Sequence, residues 1–282
     1  MDPGTGLTIL GGAVGSAKLL EKILGPTADY IGSGVRDWTQ RAVQNLGTIF
    51  KKAHARLGHR IEGPGSVPPK VLKGILAEGA FCEDDVTAEY YAGVLASSRS
   101  EVGRDDRGAA MVALIGRLST YQIRSHYFLY RVIKALYDGL DVSLASSDGR
   151  NKLLTFVPFT SYVAALDFSA KENLAGILSH VMFGLSREDL IGDGFQYGSP
   201  DELRNHFPSA DQGGILFAPS ALGAELFLWA HGEGNRVIHH FLKTELLLPG
   251  RVDVPPTPGI RSTAFPDRSI PGGQVSSPPH ER

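Results

Sequence analysis

Cysteine is almost absent from this chain: Cys82 is the single one in 282 residues. That excludes an internal disulfide and a thiolate cluster for zinc or iron–sulfur ligation, so a reducing, cytoplasmic setting is expected. An excess of positive charge is also missing, since 28 Lys and Arg face 30 Asp and Glu. No whole-molecule field draws the chain to nucleic acid or anionic lipid, and a nucleic-acid partner is not expected. The opening MDPGTGLTILGG has no basic residue, so a secretory leader is not expected either. The uncharged run from Pro3 to Ala17 is glycine-rich and shorter than the roughly 20 apolar residues that cross a bilayer.

Chemical motifs are scarce too. There is no Gly-x-Ser-x-Gly, and Gly6, Gly11, Gly12 and Gly15 lack both the strand-to-helix GxGxxG spacing and a Gly-Lys-Ser/Thr ending. His231, His239 and His240 do not have zinc-site spacing, and Cys82, between Phe81 and Glu83, reads as a core thiol with a raised pKa. No catalytic residue, no metal ligand and no cofactor is assigned.

What is present is helical periodicity. Val14, Ala17, Leu20, Ile23 and Leu24 predict a short amphipathic helix after a flexible lead. Ile31, Val35, Trp38, Ala42, Leu46, Ile49, Ala53 and Leu57 advance by threes and fours as a longer one. A break at Gly63 to Pro69 precedes a helix over 70–81, and Glu83-Asp84-Asp85 suits the start of the next. Ala109 to Tyr137 reads as one long helix, apolar on more than one face and therefore central.

After a polar boundary at 143–152 the pattern changes. Leu153 to Val157 and Tyr162 to Phe168 could be strands or buried helical turns, and Phe195 to Tyr197 could pair with Gly214 to Ala218. Helices are expected at Lys171 to Leu185 and Ser220 to His231. Beyond Leu248 the prolines, from Pro249 to Pro279, should prevent any regular element.

The fold class is thus mainly α: a lead and amphipathic helix at 1–25, a helical bundle at 26–142, a smaller α+β domain at 150–248, open to a winged-helix reading, and a disordered tail at 249–282. The strand-into-helix run from Gly214 to Gly223 invites that reading, but Asp201, Glu202 and Asp211 face Arg204 alone, with Arg236 and Lys243 as the local positive charge.

The densest polar cluster is Arg99, Glu101, Arg104, Asp105, Asp106 and Arg107, set between two apolar helices. Guanidinium–carboxylate pairs there can leave one arginine to grip a phosphate or carboxylate. Equally, Asp105 or Asp106 can cap the following helix while the arginines lock the turn. Adjacent Asp105 and Asp106 point to different sides of a regular backbone and do not make a metal site.

Five blocks carry a family likeness: LGPTADYIGSGVRDW at 24–38, PGSVPPKVLKGIL at 64–76, YYAGVLASSRSEVGRDDRGA at 90–109, LIGRLSTYQIRSHYFLY at 114–130 and PSALGAELFLWAHG at 219–232. Through them the chain resembles the Abi-alpha (abortive-infection alpha) family of bacterial phage-defence proteins. The resemblance implies a helical protein that stops an infected cell before the phage spreads, and it carries no active-site motif. The expected function is defence by binding, with an unknown protein or phage-derived trigger as partner, and with self-association through the amphipathic helices. Peripheral contact with the inner membrane through Leu7 to Leu24 is an alternative. Two other readings stay open: a nuclease or phosphate-directed hydrolase built on Arg99 to Arg107, and a winged-helix regulator.

Overall fold

The computed structural model describes residues 12–13, 17–24, 40–166, 168–246 and 259–270. The expected lead before Gly12, the glycines Gly6, Gly11 and Gly15, Leu7, the stripe positions Val14, Ile31, Val35 and Trp38, and the tail on either side of 259–270 lie outside the described residues. The fold is mainly helical with a small antiparallel sheet. The chain divides into two compact units, one of residues 1–124, 225–237 and 244–249, the other of 125–224, 238–243 and 250–282.

The first unit contains α1 (Ala17–Leu24), α2 (Gln40–Leu57), α3 (Pro69–Gly79), α4 (Asp85–Ser98), α5 (Gly108–Arg117) and the start of α6 (Thr120–Tyr137). Along α2 the expected positions Ala42, Leu46, Ile49, Ala53 and Leu57 are all buried. Pro69 opens α3, where a missing N–H costs nothing. Asp84 caps α4 by accepting the Thr87 N–H at 2.9 Å.

The central helix is α4, which corrects the expectation that 109–137 would be: every residue from Thr87 to Ser98 is buried. A helix buried all round needs neighbours on every face, and small residues let them close in. At Gly93 a Cβ would lie 2.7 Å from the Ala230 Cα and overlap that residue's carbonyl group outright. Next to it the Ser97 hydroxyl donates to the Trp229 carbonyl at 3.2 Å and accepts the Gly234 N–H at 3.0 Å. One charge is buried in this helix: Glu89, met by Lys52 and by Arg56 at 2.6 Å, both from α2.

The 109–137 stretch is not one helix. Leu118 is extended (φ −88, ψ 140), and α6 starts afresh because Ser119 and Gln122 cap each other: the Ser119 N–H donates to Gln122 Oε1 at 2.8 Å and the Gln122 N–H to Ser119 Oγ at 3.3 Å. The division between units falls inside α6, between Arg124 and Ser125, and not in the polar run 143–152. The later part of α6 is tied to the second unit by Tyr130, whose hydroxyl donates to the Leu190 carbonyl at 2.9 Å, and by Tyr137, which donates to that of Leu154 at 3.1 Å.

The second unit adds α7 (Ser147–Asn151), β1 (Thr155–Pro158), α8 (Phe159–Leu166), α9 (Leu174–Arg187), β2 (Gln196–Gly198), α10 (Pro200–Leu203), β3 (Gly214–Phe217), α11 (Ala221–Ala230, whose last six residues belong to the first unit) and β4 (Arg261–Ser262). The four strands form an antiparallel sheet in the order β2-β3-β1-β4, with Phe156 opposite Leu216 and Tyr197 opposite Ile215. Of the two ambiguous runs, the first is a strand and the second a helix: Tyr162 and Leu166 are buried one turn apart.

Strand β4 corrects the view that nothing regular follows Leu248. It pairs Ser262 with Thr155 at the sheet edge, where two residues between prolines suffice. Arg261 anchors it, with its guanidinium 5.2 Å from the Phe156 ring and donating to Asp211 at 2.7 Å.

His126 is wholly buried in this unit and donates through Nε2 to the Gly223 carbonyl at 3.0 Å. Burial pushes its pKa down to about 3. The native state therefore keeps the ring neutral while the unfolded chain takes up a proton below about pH 6.5, so stability is retained above that pH and drains away as pH falls toward 3. A loss of about 2 to 3 kcal/mol between pH 7.5 and 4.5 is expected from this group. Urea titrations across that range check it, and His126→Gln should flatten the dependence.

Candidate functional site

The corner between α4 and α5 gathers the six polar residues marked by the sequence, and the structure sorts them into two roles. Arg99 leaves the end of α4 and spends its guanidinium on backbone carbonyls: Nε on Lys22 at 3.0 Å, Nη1 on Arg60 at 3.1 Å, and Nη2 on Ile61 at 3.3 Å and Gly63 at 2.7 Å. Lysine could not reproduce that fork. Partial burial lowers the pKa of Arg99. Beside it Ser66 and Ser100 exchange backbone hydrogen bonds at 2.9 and 3.1 Å, which stitches the Gly63 to Pro69 break to the corner. Arg99→Ala should cost about 1 to 3 kcal/mol, with Arg99→Lys recovering only part, in thermal denaturation.

At the other end, Arg107 makes a two-pronged pair with Asp105, Nε to Oδ1 and Nη2 to Oδ2 both at 2.8 Å, and Nη2 also reaches Asn235 Oδ1 at 2.9 Å. The hydrogen bond and charge of Arg107 hold the Asp105 carboxyl below its ordinary value. The Arg107 guanidinium lies 5.7 Å from the Trp229 ring. Asp106 pairs with Lys70 across 3.1 Å at the surface. Neither aspartate caps α5, which has Arg107 at its N-cap position and no side-chain cap; that expectation fails because both carboxylates have cationic partners nearer to hand.

Between these clamps the tip is presented to solvent. Glu101 and Arg104 are exposed, and Val102 is 55% exposed. Val102 went unmarked in the sequence, although an apolar residue between Glu101 and Gly103 in an otherwise polar turn was a usable signal. The guanidiniums of Arg99 and Arg107 are thus committed to the fold, and Arg104 is the arginine of the cluster whose side chain pairs with none of the described residues.

The other candidates disperse. His231 is buried with Nδ1 on the Phe227 carbonyl at 2.7 Å, and His239 and His240 lie in a 3-10 turn of the other unit. Arg236 pairs with Glu233 and Lys243 with Asp141. Cys82 is partly buried, and burial together with Asp84 pushes its thiol up to about 12. Among the described residues no group of three or more His, Cys, Asp or Glu could hold a metal ion, and no described helix is long and apolar enough to cross a membrane. No family model, curated protein or solved structure matches the chain.

Proposed function

We propose that this chain is an abortive-infection-type defence component that acts by binding a protein partner, phage-derived or from the host, through the tip Glu101–Arg104. The carrying observation is the contrast within one short loop: Arg99 and Arg107 fix its two ends while Glu101, Val102 and Arg104 stand exposed. A rigid base under an exposed tip of mixed charge and one apolar side chain is how scaffolds present contact residues at low entropic cost. The defence role comes from the resemblance described above, whose densest block includes this loop.

The test is a plaque and cell-survival assay with the double variant Glu101→Lys/Arg104→Glu and, separately, Val102→Asp. Both should fold with unchanged melting temperature, since the three side chains support nothing beneath them, and both should lose protection by at least about tenfold. Full protection by both variants would sink the assignment to this loop. If wild type gives no protection against a broad phage panel, the defence role itself fails.

A further inference from the structure

An open groove of about 200 Å³ runs between α3, α4, α5 and α6 in the first unit. Its lining includes the buried apolar side chains Ile115 and Leu118, and at its rim stands Phe81, 85% exposed. Two polar groups facing it are unused by the fold. Tyr91 is only 3% exposed and lines the groove, yet its hydroxyl hydrogen-bonds to none of the described residues. Glu78 is exposed and forms no ion pair with a described residue; its carboxyl carbon lies 3.1 Å from where a Cβ of Gly116 would stand, so that glycine lets the carboxylate rest against α5.

The neighbouring acids are different. Glu83 is taken by Arg41 at 2.7 Å, and Asp84 by Arg124 at 2.6 Å and by the Thr87 N–H. Among the described residues the groove therefore carries one carboxylate without an ion-pair partner, and α3 ends beside it at Gly79, adding the negative end of a helix dipole. Burial and the Glu78 charge raise the pKa of the Tyr91 phenol, which leaves a neutral hydroxyl whose lone pairs are open to a cationic N–H.

We infer that this groove binds a primary alkylammonium ion, its hydrocarbon stem on Ile115, Leu118 and Phe81 and its head between the Glu78 carboxylate and the Tyr91 hydroxyl. The pairing is that of a snorkelling lysine: an apolar patch for the stem beside an acceptor pair for the head. Lysine side chains of a partner and free polyamines share this chemistry. The inference is independent of the corner loop and holds or fails without it.

The experiment is amide NMR on the full chain, titrated with Nα-acetyl-lysine methylamide, with its Nε-acetylated neutral counterpart and with spermidine. Shifts confined to residues of 78–91 and 115–123, weakened by salt and absent for the neutral counterpart, are expected. Glu78→Gln should weaken binding by about tenfold and Tyr91→Phe by about threefold to tenfold. Both substitutions are nearly isosteric, and the rest of the spectrum reports that they fold. Tighter spermidine binding assigns the site to a free amine, tighter lysine binding to a partner's side chain. Equal response to the neutral counterpart, no localised shift at 20 mM or so of either amine, or indifference to Glu78→Gln would overturn the inference.

Discussion

Gly93→Ala is expected to unfold the helical unit or to leave it barely folded. In an isolated helix the exchange would be favourable by about 1 kcal/mol, because alanine is the better helix former. Here the new methyl has nowhere to go: it would overlap the carbonyl of Ala230 and stand 2.7 Å from its Cα. A flexible side chain could swing away, but a backbone carbonyl moves only if its helix moves. That displacement would also break the bonds that Ser97 makes with Trp229 and Gly234. A net cost of about 3 kcal/mol or more follows, at the upper end of what overpacking produces. Urea denaturation followed by circular dichroism measures it. An unchanged midpoint would mean that the contact between α4 and residues 225–237 is looser than described.

Glu89→Ala should be comparably severe for the opposite reason, because it removes matter. The Glu89 side chain is 8% exposed and holds Lys52 and Arg56, the latter 7% exposed. Nε and Nη1 of Arg56 already lack a hydrogen-bond partner, so among the described residues Glu89 is the carboxylate that compensates this buried cation. Lys52 pulls the same way: burial opposes its charge, but hydrogen bonds to Glu89 and Asp85 outweigh that and raise its pKa. Deleting the acid strands a buried guanidinium at a cost of about 3 to 5 kcal/mol. A replacement of both partners by apolar residues, Arg56→Met with Glu89→Leu, should be much milder than Glu89→Ala, since nothing charged is then left in the core. If the double variant is the worse of the two, the ion pair is a net stabiliser and this reasoning is wrong.

How far the sequence speaks for itself depends on how local each feature is. The stripe positions Ala42 to Leu57 on α2 and the acids at the start of α4 are set by neighbours in the chain and were legible, whereas 153–157 read equally as a strand or a buried helical turn until its pairing with 214–217 decided it. The two errors in the helical part have separate causes. In α4 the residues Ala88, Ala92, Gly93, Ala96 and Ser97 are small and only mildly apolar, so a count of hydrophobic residues ranks this helix below 109–137 although it is the more deeply buried. In 109–137 the apolar period runs on through Leu118 and Ser119, and the reciprocal bonds of Ser119 and Gln122 decide where the helix stops.

At the corner, sequence showed which residues matter but not which of them are already occupied. Arg99 finds its carbonyls at 22 and 60–63, and Arg107 finds Asn235, separations that no local pattern encodes. The Glu78–Tyr91 groove was invisible for the same reason, being assembled from four helices. Strand β4 was hidden by composition: the prolines around it signal disorder, while its pairing is supplied by Thr155 and Phe156, about a hundred residues earlier.

Residues 225–237 belong to the unit that begins the chain, and the whole of 125–224 lies between. On the ribosome this imposes a wait. When the helices up to Arg124 have emerged, the notch at Gly93 and the hydroxyl of Ser97 have no partners, and at about 5 to 20 residues per second the missing segment arrives roughly 5 to 20 s later. Throughout that interval the nascent bundle exposes part of its most deeply buried helix, a natural client for a holding chaperone. A message cut short anywhere in that span would yield a polypeptide unable to close its first unit, and thus a substrate for proteolysis.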